Sequence, residues 1–147
     1  MVVWVAVVGL TMPLRSVADE HPGGKLGGPC LYRDYPGKAT ITKIVKTKAS
    51  KAQLKSAGYE GYEVWYKYEP KWEIPEEDRH DQLKSEQQFQ LANTWYPGDQ
   101  YIKKYGLKVG KELPCTYSVI KSGTCTPVQF NLEGPDPVDY FEVKPLK

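Results

Sequence analysis

The stretch YEVWYKY at residues 62–68 alternates strictly between two kinds of side chain. In an extended chain, one face carries the apolar and aromatic members, which are Tyr62, Val64, Tyr66 and Tyr68. The opposite face carries Glu63, Trp65 and Lys67. A period of two residues is typical of a strand with one face buried. The chain is therefore predicted to build its core on β-sheet, with this stretch as one of the central strands.

Other segments extend the β pattern. Residues 38–46 predict a first strand, with a bulge near Thr42 because the apolar phase slips there. Residues 87–92 predict a third strand, and the turn Ser122-Gly123 predicts a final hairpin. Pairing about that turn sets three pairs of apolar or aromatic residues opposite each other: Leu113 with Leu132, Cys115 with Phe130, and Tyr117 with Val128.

Two short helices are predicted between the strands. Residues 50–57 favour a helix that Ser50 caps and Gly58 ends. Residues 99–105 favour a second helix, capped by Asp99 and closed by Gly106. The charged segment 71–84 predicts a helical turn that starts from Pro75.

This order of elements resembles the OB-fold, a five-stranded Greek-key barrel with its helix between the third and fourth strands. The resemblance covers residues 37–133 and rests on element order alone, so a β-sandwich or another small barrel is the alternative. Residues 19–36, rich in Gly and Pro, predict an extended leader that lies over the domain. Residues 134–147 predict a tail, in which 138–143 would add an edge strand.

The first 18 residues differ from the rest. An apolar run at residues 2–12 is followed by Pro13 and by small residues at Ser16 and Ala18, which is the pattern of a signal peptide cleaved after Ala18. No Lys or Arg precedes Arg15, however, and a buried N-terminal strand or helix is the alternative. We expect a protein exported to the periplasm or the extracellular space, with no transmembrane span in the mature chain, and the apolar run itself is too short to cross a bilayer.

Export sets the expected state of Cys30, Cys115 and Cys125, because an oxidising compartment favours a disulfide. The predicted hairpin points Cys115 inward and Cys125 outward, too far apart for a disulfide. Cys30 must then be one partner, and we expect it to pair with Cys125 and to leave Cys115 as a buried thiol, with a Cys30–Cys115 bond as the alternative.

Composition excludes several classes of function. The 147 residues include 20 basic and 18 acidic side chains, a formal net charge of +2, so we expect no specific nucleic-acid partner. Only two histidines occur, with no metal-binding spacing, and no glycine-rich phosphate loop follows a strand. We expect no metal and no cofactor, and no enzymatic activity. A small hydrolase using the acidic residues around His80 is the weakest alternative.

The strongest functional signal is Trp65, which alternation places on the outer face of its strand. OB-type barrels bind ligands on the face of their second and third strands. The adjoining loop carries lysines with no acid between them, namely Lys46, Lys48, Lys51 and Lys55. These residues predict a binding site for a glycan, an anionic polymer of the envelope or another protein. The alternative is that Trp65 is covered by the leader or tail, in a structural or accessory domain of an envelope assembly.

Overall fold

The protein is mainly β, and its five antiparallel strands form one curled sheet, a half-barrel, in the order β3-β2-β1-β4-β5. The computed structural model describes residues 29–144. The strands are β1 (Leu31–Val45), β2 (Glu63–Pro70), β3 (Gln87–Phe89), β4 (Glu112–Ser122) and β5 (Val128–Leu132). The helices are α1 (Lys48–Ala52), α2 (Leu54–Ala57) and α3 (Asp99–Lys104), the last lying between β3 and β4 in sequence. The predicted signal peptide at residues 1–18 lies outside the described residues.

β1 is the central strand and pairs with β2 on one side and β4 on the other. It begins at Leu31, so the last six residues of the predicted leader, 31–36, form its first part. The predicted bulge is confirmed, because the register with β2 shifts between Ile41 and Lys43. The extra residue, Thr42, lets both Ile41 and Ile44 face the core.

The core lies on the inner face of the sheet. Most of the residues that alternation assigned to it are buried: Ile41, Val64, Tyr66, Phe89, Leu91, Leu113, Cys115 and Tyr117. The ring centroid of Phe130 lies 5.1 Å from that of Tyr117 and 5.7 Å from that of Tyr68. Phe130 is only partly buried, as are Val128 and Leu132, because β5 is an edge strand of the half-barrel.

The β4–β5 hairpin differs from the predicted register by two residues. Tyr117 lies opposite Phe130, and Cys115 lies opposite Leu132. The loop is longer than a two-residue turn, since the Ile120 N–H donates to the carbonyl oxygen of Pro127 at 2.9 Å. A shift of two residues keeps every side chain on its predicted face, because the side-chain period of a strand is also two. The inward set was therefore predicted correctly although its pairing was wrong.

The predicted disulfide between Cys30 and Cys125 is confirmed, with 6.2 Å between the two Cα atoms. Cys115 is a buried free thiol, as expected. Gly123 makes room for the bridge, since a Cβ at this position would lie 2.7 Å from the Cys30 sulfur. The disulfide joins the residue before β1 to the β4–β5 loop.

The first helical segment starts earlier than predicted. Thr47, rather than Ser50, caps α1, and the two residues form a capping box in which each side chain accepts from the other's backbone N–H. Gln53 continues in helical conformation between α1 and α2. Gly58 ends α2 in the left-handed conformation, as predicted. The helical turn after Pro75 is also present, as a 3-10 turn at Glu76–Asp78.

The C-terminal tail adds no strand within the described residues and instead packs along α3. The Glu142 carboxylate accepts from the backbone N–H groups of Gly98 at 2.9 Å and Gln100 at 2.6 Å. Glu142 thus takes the capping role that the sequence assigned to Asp99, which accepts from the Tyr62 hydroxyl at 2.7 Å. The tail is held by α3 and does not continue the sheet.

Candidate ligand-binding face

Trp65 lies on the outer face of the sheet and is half-buried. Its neighbours across the strands are Lys43 on β1 and Gln88 on β3. The Lys43 ammonium lies 5.4 Å from the centroid of the Trp65 ring, within the range of a cation–π contact. We call these three residues the Trp65 face. They combine an aromatic ring, a cation and an amide on one side of the molecule.

Glu63 connects the Trp65 face to α1. One carboxylate oxygen accepts from the Trp65 indole N–H at 3.1 Å, and the other accepts from the Thr47 hydroxyl at 2.7 Å. Because Thr47 is also the cap of α1, this pair of hydrogen bonds fixes the indole relative to the start of the helix. The strand and the helix are thereby held as neighbours.

Three of the four predicted lysines share one surface beyond that point. Lys48, Lys51 and Lys55 are exposed, and their spacing of three and four residues places them on one side of the helical segment. Within residues 29–144, none of the three forms a salt bridge. We call them the lysine face. Their ammonium groups are exposed to solvent, and the acid placed near the start of this segment, Glu63, bonds to Thr47 and Trp65.

Lys46, the fourth predicted lysine, has different surroundings. Its ammonium lies 2.9 Å from a Glu60 carboxylate oxygen and 4.9 Å from the centroid of the Tyr62 ring. The hydrogen bond to Glu60 raises the pKa of Lys46 and outweighs the effect of burial. Lys46 lines a cavity of about 620 Å3 between Tyr59, α3 and the C-terminal tail. The structure therefore separates it from the lysine face.

A buried carboxylate at the other end of β1 was missed by sequence reasoning. Asp78 is only 1% exposed, although its neighbours Glu76 and Glu77 are exposed. Its carboxylate accepts from the Tyr35 hydroxyl at 2.5 Å and from the Arg33 guanidinium at 3.1 Å, and it also accepts from the Lys121 ammonium. We call Arg33, Tyr35, Asp78 and Lys121 the Asp78 cluster.

The pKa of Asp78 reflects two opposing causes. Burial raises it, but the hydrogen bonds from Lys121 and Tyr35, together with the charges of Lys121 and Arg33, lower it by more, so the net shift is downward. The Tyr117 hydroxyl also donates to the backbone carbonyl of Asp78 at 2.8 Å. The carboxylate is thus held ionised, and it ties the segment after β2 to β1 and β4. Asp78 is buried while the adjacent acids are solvated, because the chain turns inward at Glu76–Asp78.

The acidic residues near His80 do not converge. Asp81 pairs with Lys84 at 2.9 Å on the surface, whereas Asp78 points into its cluster. In the described part of the chain, no group of three or more His, Cys, Asp or Glu residues is placed to hold a metal ion. Burial raises the pKa of the Cys115 thiol to about 12, so this group is protonated at neutral pH.

The other tryptophans of the described chain do not join Trp65. Trp72 is 61% exposed, in the segment after β2, where the Lys71 ammonium lies 4.7 Å from its ring centroid. Trp95 packs against the core. Trp65 is the tryptophan that Glu63 connects to Thr47, at the start of the helical segment that carries the lysine face.

No protein-family model, curated protein or solved structure gave a significant match to the chain. Among residues 29–144, no helix is long and apolar enough to cross a membrane.

Proposed function

We propose that the protein is an exported, non-catalytic binding module whose ligand is an anionic glycan bound across the Trp65 face and the lysine face. The observation that carries the proposal is that Lys48, Lys51 and Lys55 are exposed on one helical segment and form no salt bridge within residues 29–144, while Glu63 and Thr47 connect the start of that segment to the half-buried Trp65. Lys46, in the same connection between β1 and β2, pairs with Glu60. An unbalanced row is suited to a ligand that brings its own negative charges.

The fold supports the same location. The sheet order and the position of α3 between β3 and β4 fit an OB-like barrel that is partly open between its edge strands β3 and β5. In such barrels the face of the second and third strands is the usual binding surface, and here it carries Trp65 and Gln88. The loop between the first two strands, which borders this surface, carries the lysine face.

The two faces would contribute different interactions. The indole ring offers an apolar surface on which a sugar ring can stack, and Glu63 fixes its orientation before the ligand arrives. The lysines attract carboxylate or sulfate groups, but screening limits this attraction to about 8 Å at physiological ionic strength. Binding should therefore weaken as salt is added, while the stacking contribution persists.

The disulfide supports export, because structural disulfides form and persist in oxidising compartments. Export also explains why an anionic glycan is a suitable ligand, since such polymers are components of cell envelopes and extracellular matrices.

Isothermal titration calorimetry with dextran sulfate and polygalacturonate, at two salt concentrations, tests the proposal. Neutral dextran is the control ligand. Changing Lys48, Lys51 and Lys55 together to Gln should reduce affinity for the anionic polymers at least about tenfold. The matched control changes the exposed lysines Lys71, Lys103 and Lys108 to Gln, which removes the same charge elsewhere.

Trp65→Ala should weaken binding in high salt as well as in low salt, whereas Trp72→Ala should leave it unchanged. If neither anionic polymer binds, or if both lysine triples reduce affinity equally, the proposed site is wrong. Preferential binding of a single-stranded oligonucleotide would contradict the expectation that no nucleic acid is the partner.

An accessory domain of an envelope assembly is the second candidate. It is favoured by Trp72, which is 61% exposed and lies on a different part of the surface from Trp65. Aromatic residues are enriched in protein interfaces, so an exposed tryptophan is suited to a protein partner. Loss of a co-purifying envelope protein in Trp72→Ala, with retention in Trp65→Ala, would favour this candidate.

A further inference from the structure

A cavity of about 620 Å3 is lined by residues that belong to neither the Trp65 face nor the lysine face. Its walls come from three parts of the chain: the segment before β2, the first turn of α3 and the C-terminal strap, which we define as residues 141–144. Sites for small molecules usually enclose about 300–1,000 Å3, so the volume suits a small ligand.

The strap is held firmly against this cavity. Glu142 accepts two backbone hydrogen bonds at the start of α3, and the Lys144 N–H donates to the carbonyl oxygen of Ala57 at 3.2 Å. A Cβ on Gly98 would lie 2.5 Å from a Glu142 carboxylate oxygen, and one on Gly58 would lie 2.9 Å from Lys144 Cβ. The strap thus packs directly on glycine backbone and completes the cavity wall.

The charged groups around the cavity include one ion pair and two carboxylates with neutral partners. Lys46 pairs with Glu60 at 2.9 Å, Asp99 accepts from the Tyr62 hydroxyl at 2.7 Å, and Glu142 accepts from the α3 backbone. An anionic ligand would be repelled by the Asp99 and Glu142 carboxylates. A neutral ligand with several hydroxyl groups would not, because each carboxylate has further lone pairs that accept from hydroxyls.

Two further groups match a polyhydroxylated ring. Gln100 is exposed, and its amide supplies both a donor and an acceptor. Phe141 is 50% exposed and supplies an apolar surface. Tyr59 also lines the cavity, and its buried hydroxyl has no hydrogen-bond partner within residues 29–144. Burial raises the pKa of Tyr59 to about 12, so this side chain stays neutral and contributes its ring to the cavity wall.

We propose that this cavity binds a neutral mono- or disaccharide, with Phe141 against the sugar ring and Asp99 and Gln100 on its hydroxyls. This site is distinct from the Trp65 face and does not depend on the function proposed for that face.

Protein-observed NMR titration of the isotopically labelled protein tests the proposal. The neutral ligands are maltose, cellobiose, lactose and diacetylchitobiose, and the charged ligands are glucosamine and glucuronate. At least one neutral sugar should give saturable shifts at millimolar concentration, at the amides of residues 59–60, 99–100 and 141–144. Gln100→Ala and Phe141→Ala should each weaken this binding by at least about tenfold.

The controls are Gln82→Ala and Val109→Ala, which change exposed residues away from the cavity and should leave the sugar affinity unchanged. Binding of dextran sulfate should be unaffected by Gln100→Ala and Phe141→Ala, so failure of this site is distinguishable from failure of the Trp65 site. The proposal is overturned if no neutral sugar gives saturable shifts, if the shifts map elsewhere, or if glucosamine binds more tightly than every neutral sugar.

Discussion

The two ends of β1 use basic residues in opposite ways. At its first end, Arg33 of β1 and Lys121 of β4 converge on the buried carboxylate of Asp78. Beyond its last end, the lysine face carries three exposed cations that lie on one side of a helical segment and have no salt bridge in the described chain. The same kind of side chain is a structural tie at one end and a free surface charge at the other.

The two ends of β1 differ in whether a buried acid is present, and not in the basic residues themselves. The Asp78 carboxylate is buried away from solvent and needs charged and hydrogen-bonding partners. Arg33 and Lys121 supply them and therefore contribute to the stability of the fold. The lysine face has no such acid, and its solvated ammonium groups contribute little to stability. Substitutions at the first end should therefore change the free energy of unfolding, and substitutions at the lysine face should change binding alone.

The largest effect is expected from the disulfide, which closes the first end of β1. Cys30→Ser should lower the free energy of unfolding by about 4 kcal/mol, because the bridge spans 95 residues and restricts the unfolded chain. Urea unfolding measures the change. Reduction of the wild-type protein should give a similar loss, and the double variant Cys30→Ser/Cys125→Ser should lose no more than either single variant. A loss under about 1 kcal/mol would show that the Asp78 cluster holds this end unaided.

Asp78→Ala should lower the free energy of unfolding by about 3 kcal/mol, the lower end of the range for breaking a buried ion pair. The lower end applies because the side chains of Arg33 and Lys121 are 52% and 33% exposed and regain water when the carboxylate is removed. Glu77→Ala is the matched control, since this neighbouring acid is exposed and should change stability by less than about 0.5 kcal/mol. Equal effects of the two variants would contradict the structural role of Asp78.

The stability that the Asp78 carboxylate contributes at the first end of β1 should also depend on pH. The folded pKa of Asp78 is below its ordinary value of 3.8, so its contribution to stability is complete above that value and is lost as the pH falls through the folded pKa. The wild-type protein should therefore lose more stability than Asp78→Asn between pH 6 and about pH 3 in urea unfolding experiments. Parallel pH profiles of the two proteins would show that the carboxylate titrates normally.

The smallest effect on stability is expected at the lysine face. Changing Lys48, Lys51 and Lys55 together to Gln should shift the free energy of unfolding by less than about 0.5 kcal/mol, because no salt bridge is lost. A thermal unfolding curve measures this directly. A larger loss would mean that these lysines have structural partners, and the contrast between the two ends of β1 would no longer hold.

Much of the fold was predictable because it follows from local pattern. Alternation at residues 62–68 identified β2 and its buried face, and the phase slip at Thr42 identified the bulge. The hairpin pairing was wrong by two residues, because alternation defines a face but does not distinguish registers that differ by a whole period. The capping residue of α1 was also wrong, since Thr47 and Ser50 are both good caps and only the path of the chain after β1 selects between them.

The sequence by itself determined the strands and their inward faces, which depend on period-two patterning, and it favoured the pairing of Cys30 with Cys125 because the same patterning points Cys115 into the core. Only the tertiary structure decided which charges are buried and which stay unpaired. In the sequence, Asp78 is one of several neighbouring acids and Lys46 is one of several neighbouring lysines, and no local pattern distinguishes either residue from the others. Whether each finds a partner depends on residues distant in sequence, Arg33 and Lys121 for Asp78 and Glu60 for Lys46, which folding alone brings within hydrogen-bond distance.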